Sequence, residues 1–101
     1  MWILETTDPS GERLTFRLPP GSVKTVGRST GAEFILEAAL VSRLHCQLTA
    51  TADSLHVKDL GSTNGTFVNG KRVNSAELKD GDKLRVGRVE LTVARSDFNP
   101  T

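Results

Sequence analysis

A single cysteine, Cys46, is the whole thiol content of this 101-residue chain. No internal disulfide can form, which excludes a small cysteine-stapled secreted scaffold and points to a reducing compartment. No apolar run comes near the roughly 20 residues needed to cross a bilayer. The opening residues Met1, Trp2, Ile3, Leu4 and Glu5 lack the basic stretch that begins a secretion signal. A cytoplasmic location is expected, with the nucleus as the alternative and no membrane partner. An excess of charge of one sign is missing as well: 13 Lys and Arg face 12 Asp and Glu, a formal net charge of +1. Bulk binding to nucleic acid or to a membrane surface needs a strongly basic face, so neither is expected as a partner. The length fits one domain and leaves no room for a cofactor domain beside a substrate domain.

Helical periodicity is also absent, since no stretch keeps it for the ~10 residues a helix needs. Short β-type runs with turn residues between them recur instead, at residues 2–6, 13–18, 22–26, 34–36, 45–50, 54–59, 66–68, 71–73, 83–86 and 89–94. Leu14, Phe16 and Leu18 give the cleanest one-sided alternation. Two hairpins follow from turn chemistry. Asn69 and Gly70 suit a type I′ turn, which needs positive φ at both central positions, and Gly87 and Arg88 suit type II′, with Gly first. The expected fold class is all-β and antiparallel, a two-sheet sandwich or a barrel. Trp2, Phe16, Phe34 and Phe67 are expected in the core, and Cys46 as a small buried hydrophobe. No aromatic stripe interleaved with cations, of the kind that makes a nucleic-acid platform, is visible. A domain over residues 1–95 and a polar tail over 96–101 complete the organisation.

Three windows hold cations and no anions: 21–32 with Lys24 and Arg28, 38–52 with Arg43, and 60–76 with Lys71 and Arg72. If folding brought them to one end, a near-neutral chain would present a local anion site. The first window has Gly27 and Arg28 just after a strand end; the planar Arg fork suits phosphate or carboxylate. In the second, Ser42 and Arg43 can both reach an oxyanion, and His45 follows three residues after the serine. In the third, Gly61 and Gly65 flank Ser62, Thr63 and Asn64, which offers hydroxyl donors and an amide able to bond a peptide backbone. The absence of a Gly-Lys-Ser/Thr sequence excludes a Walker A loop. Lys71 and Arg72 lie beyond the Asn69 and Gly70 turn and read as a solvated hairpin.

In this order and spacing, four pieces resemble the forkhead-associated (FHA) domain family: Gly27-Arg28, Ser42-Arg43-Leu44-His45, the run from Gly61 to Gly70, and the run from Leu78 to Gly87. The resemblance covers nearly the whole chain. It implies a two-sheet antiparallel β-sandwich of about eleven strands, with loops at one end that bind a phosphothreonine peptide, and convergence of the three cationic windows. FHA domains are known readers of phosphorylated motifs. Carried over by position, Arg28 pairs with the phosphate, Ser42 donates its hydroxyl to it, Arg43 adds a second cation and Thr63 contacts it or its neighbourhood. Asn64 bonds the ligand backbone just after the phosphothreonine. Gly27, His45 and Gly65 structure the loops. The third residue after the phosphothreonine falls to variable loops around Leu40 and around Gly87 and Arg88. The implied partner is a phosphothreonine protein, a Ser/Thr kinase or its substrate, met by a monomeric module that is not an enzyme.

A phosphothreonine carries about −1.5 to −2 charges and three acceptor oxygens, which two Arg and two hydroxyls match in number and kind. The alternative functional class is a phosphate-independent scaffold using a sheet face. A third reading, a hydrolase built from Ser42, His45 and Asp59, lacks the Gly-x-Ser-x-Gly elbow. His45, Cys46 and His56 do not have zinc spacing, so no metal and no cofactor is expected. Thr6, Thr7 and Thr101 are candidates for a phosphorylated terminal segment that docks into the site and switches it off.

Overall fold

The computed structural model describes residues 1–7 and 11–96. Among them are eleven strands and no helix: β1 (Trp2–Thr7), β2 (Arg13–Leu18), β3 (Val23–Gly27), β4 (Phe34–Ile35), β5 (Cys46–Ala50), β6 (Leu55–Asp59), β7 (Thr66–Val68), β8 (Lys71–Val73), β9 (Ser75–Leu78), β10 (Lys83–Val86) and β11 (Val89–Arg95). No helix of the described residues is long and apolar enough to cross a membrane.

Two sheets stack as a sandwich. One has the strand order β2-β1-β11-β10-β7-β8, the other β4-β3-β5-β6-β9. Period-two alternation puts Leu4, Leu18, Leu84, Leu91 and Val93 of the first sheet against Val26, Leu48, Leu55, Val57 and Leu78 of the second, all at most 1% exposed. Phe16 on edge strand β2 stacks on Phe34 of edge strand β4, with ring centroids 4.4 Å apart. This closes one side of the sandwich. Burial pushes the Cys46 thiol up to about 12, with the Asp59 carboxylate adding to the effect. It is the inert core residue that its strand position implies.

Both hairpin turns form as their residues demand. Asn69 and Gly70 have φ of 50° and 84°, and at the β10-β11 turn Gly87 has positive φ, 61°, while Arg88 does not. Three features depart from the sequence reading. Strand β9 has no β-branched or aromatic residue and is held by pairing with β6, Val57 opposite Ala76. Strand β4 runs parallel to β3, the one parallel pair among the described residues. Phe67 is not a core residue: it lies on the outer face of the six-stranded sheet under the Arg85 guanidinium, 4.1 Å from the ring centroid.

The 96–101 tail lies mostly outside the described residues. Ser96 itself is tied to the first strand, its amide donating to the Met1 carbonyl at 2.8 Å. Thr6 and Thr7 are not in a free tail: both pair with β2, and the Thr6 hydroxyl donates to the Glu90 carbonyl at 2.7 Å. Thr101 lies outside the described residues.

Candidate functional site

The loops after β3, β4 and β6 meet at one end of the sandwich around an open cleft of about 660 Å³. Arg28, Ser29 and Gly31 line it from the first loop, Ser42, Arg43 and Leu44 from the second, and Gly61 and Thr63 from the third. Four of the five residues singled out as ligand contacts therefore share one cavity. Asn64, the fifth, sits beside it, donating from Nδ2 to the Leu40 carbonyl at 3.1 Å.

Backbone pairing positions Arg28. Its amide donates to the Ser42 carbonyl at 3.0 Å, and Ser29 donates to the Arg43 carbonyl at 3.3 Å. The chain can come this close because Gly27 has no side chain: a Cβ there would lie 2.0 Å from the Arg43 carbonyl oxygen. Arg28 Nε donates to the Val41 carbonyl at 3.1 Å, which fixes the guanidinium plane. Both Nη groups remain for a ligand. No carboxylate among the described residues lies within 4 Å of Arg28 or Arg43, and none lines the cleft.

His45 holds the loops from beneath. It is fully buried; its Nδ1 accepts from the Ser42 amide at 3.0 Å, and its Nε2 lies 2.8 Å from the Gly65 carbonyl. An amide only donates and a carbonyl only accepts, so the neutral ring with its proton on Nε2 is assigned by its partners. With both nitrogens engaged, none is left for the Ser42 hydroxyl, and a Ser-His pair does not form. Ser42 Oγ instead accepts from the Thr63 amide at 3.2 Å, leaving its own proton to donate into the cleft.

Asp59, the other member of the rejected triad, anchors the third loop. One carboxylate oxygen accepts from the amides of Gly61 and Ser62, each at 3.0 Å; the other accepts from the hydroxyls of Ser62 and Thr66. Burial alone would raise its pKa, but the hydroxyl bonds from Ser62 and Thr66 and the two amide bonds outweigh it and hold the carboxyl below its usual range. Sequence reasoning passed over this role for Asp59 and Ser62. The signal was an Asx turn, Asp-x-Gly-Ser, at the end of a strand.

Asp59→Ala should strand four donors at once, reducing stability by about 2–3 kcal/mol and weakening ligand binding about tenfold through displaced Thr63 and Asn64. Chemical denaturation and peptide titration of the same variant check both. Because the folded carboxyl is depressed, its contribution is fully present above the unfolded value of about 3.9 and is lost as pH falls through the lower folded value. Asp59→Asn should lack that acid limb.

The cationic windows converge only in part. Arg28 and Arg43 share the cleft, and Arg72 leans against Gly65. Lys24 pairs with Leu48 in mid-sheet, and Lys71 stands beside the far turn opposite Val68. Leu40, exposed and in a left-handed conformation at φ 71°, packs its carbonyl against Gly87, where a Cβ would lie 2.5 Å away. The two variable loops thus meet.

The FHA domain family model matches residues 24–87, the segment that carries all of these loops. The ABC transporter ATP-binding/permease protein Rv1747 of Mycobacterium tuberculosis is 43% identical over 92 residues, which is 86% of this chain and 10% of that protein. The chain thus spans only a tenth of that relative's length. A solved structure from a structural and functional analysis of phosphothreonine-dependent FHA domain interactions is 35% identical with a TM-score of 0.85, covering 96% of this chain and 98% of the other. The FhaA FHA domain, crystallised in complex with the intracellular domain of Rv3910, is 36% identical with a TM-score of 0.82, covering 92% and 99%. In sequence and in overall fold alike, this chain belongs to the FHA domain family.

Proposed function

We propose that this chain is a phosphothreonine-peptide-binding module that mediates phosphorylation-dependent association in Ser/Thr kinase signalling. The observation that carries the reading is one open cleft holding two arginines and a serine hydroxyl with no carboxylate to neutralise them. Arg28 meets the phosphate with its two free Nη groups. Ser42 donates its hydroxyl, Arg43 supplies the second cation, Thr63 adds a hydroxyl, and the Asn64 carbonyl oxygen takes a backbone amide of the ligand. Gly27, His45 and Gly65 hold the three loops in register.

Charge-assisted bonds of this kind contribute about 1.5–3 kcal/mol each. An unphosphorylated threonine leaves both cations unpaired, so the site discriminates by charge. A site of this kind binds and needs no cofactor, metal or catalytic base. The partner is a phosphothreonine-bearing protein, a kinase or its substrate, met by a monomeric domain in the cytoplasm.

Titration with phosphothreonine peptides and their threonine counterparts tests the reading. Binding of the phosphorylated form at least about 100-fold tighter is expected, from two or more such bonds. Equal binding of the two forms, or a partner retained after phosphatase treatment, overturns it in favour of a phosphate-independent scaffold.

A further inference from the structure

Phe67 is an aromatic ring on the outside of a sheet, and its neighbours give it a use. Strand register places Glu90, Arg85, Phe67 and Arg72 in one row across β11, β10, β7 and β8. Their sequence neighbours Leu84, Val86, Leu91 and Thr66 are fully buried, so this row points outward. Arg85 lies over the ring at 4.1 Å. Arg72 flanks the ring on the next strand. A Cβ built on Gly65 would come 3.0 Å from Arg72 Nε and 3.1 Å from Phe67 Cε1. The shelf therefore begins at the residue that follows Asn64.

Neither Arg72 nor Arg85 has a carboxylate within 4 Å among the described residues, and both are exposed. A guanidinium held over a ring by cation–π attraction still has N–H donors to offer a carboxylate. Arg72 and Arg85 are two strand spacings apart, ~10 Å, which three extended residues span. Arg17 and Lys83 add positive charge on the same outer face; the carboxylates of its strands are Glu90, cross-strand from Arg85 at the end of the row farthest from Gly65, and Glu5, which is paired with Arg13.

We propose that the Arg72, Phe67 and Arg85 shelf is a second contact for the phosphorylated partner, taking an acidic stretch that follows the phosphothreonine in its sequence. The assignment rests on the phosphothreonine reading, in which Asn64 holds the backbone just after the phosphate; a chain continuing past Asn64 and Gly65 arrives on the shelf. Two exposed ion pairs contribute about fivefold together at low salt, enough to rank phosphopeptides of equal core sequence. The contribution is screened as ionic strength rises.

The test uses one phosphothreonine core in three peptides: four glutamates from the fourth residue after the phosphothreonine, four glutamates at the mirrored place before it, and four serines after it. Binding is measured at about 50 mM and about 300 mM salt to the wild-type chain and to the double variant Arg72→Gln, Arg85→Gln. The glutamates placed after the phosphothreonine should tighten wild-type binding about fivefold over the serine peptide at the lower salt. That gain should vanish in the double variant, which binds the serine peptide as the wild type does. An equal gain from glutamates placed before the phosphothreonine, or a gain kept by the double variant, overturns the proposal in favour of diffuse attraction. A single-stranded oligonucleotide that binds the wild type but not the double variant, with no gain from either acidic peptide, assigns the shelf to nucleic acid instead. Failure of the serine peptide to bind the wild type marks the loss of the phosphothreonine reading itself, and the shelf proposal falls with it.

Discussion

Arg28→Ala is expected to weaken phosphothreonine-peptide binding at least about 100-fold while the chain stays folded. Two charge-assisted bonds from the Nη groups, about 1.5–3 kcal/mol each, disappear together. No other arginine can replace them, because Arg43 enters the cleft from a different loop and Arg28 alone is braced through Nε on Val41. The effect on folding is limited to that single neutral-acceptor bond, about 1 kcal/mol, since the side chain is exposed. Arg28→Lys separates charge from geometry. It keeps the cation and loses the fork, and binding between the wild type and the alanine variant is expected. Calorimetric titration and a thermal melt of each variant measure both sides; binding retained by Arg28→Ala would locate the phosphate elsewhere.

Gly27→Ala is expected to damage fold and site at once, although it adds a single methyl group. The new Cβ would lie 2.0 Å from the Arg43 carbonyl oxygen and 2.7 Å from its carbon. Both are backbone atoms, so no rotamer relieves the overlap. To admit the methyl, β3 must move away from the 42–45 segment and stretch the bonds from Arg28 to Ser42, Ser29 to Arg43 and His45 to Val26. A loss of about 2–4 kcal/mol follows from overpacking and weakened bonds, with binding reduced at least about tenfold because Arg28 and Ser42 no longer face one point. Gly31→Ala is the internal control. Its Cβ would have the Ser29 hydroxyl at 3.4 Å as its nearest neighbour and needs no backbone movement, so near wild-type stability is expected. Denaturation midpoints of the two variants make the comparison; equal stability would show that the β3 end is not packed as described.

Asp59 and the shelf both illustrate where local pattern stops being informative. The Asp59 carboxylate could be read as the start of an Asx turn, but its full set of four donors could not, because they come from a loop whose path depends on positive-φ glycines at 61 and 65. Phe67 stands in a three-residue strand between Thr66 and Val68. With so few residues, alternation cannot say which side faces the core. The buried side is that of Thr66, whose hydroxyl is satisfied by Asp59, and this sends the ring outward beneath Arg85.

The alternation of Leu14, Phe16 and Leu18, the Asn69-Gly70 and Gly87-Arg88 turns, and the order of Gly27-Arg28, Ser42-Arg43 and Thr63-Asn64 are local or linear properties. The all-β class and two of the hairpins follow from the pattern and the turns alone, while the sandwich and the grouping of Arg28, Ser42, Arg43, Thr63 and Asn64 follow from the resemblance of that order to the FHA family. Period-two side-chain geometry and the φ demands of turns act within a few residues, so sequence carries them directly. Three things waited for the tertiary structure: pairing of the propensity-poor β9 with β6, the meeting of Ser42 with Thr63 across 21 residues of chain, and the facing of Phe67. Each depends on which strands become neighbours. That choice minimises exposed apolar surface and unpaired backbone over the whole chain at once, and no window of the sequence contains it.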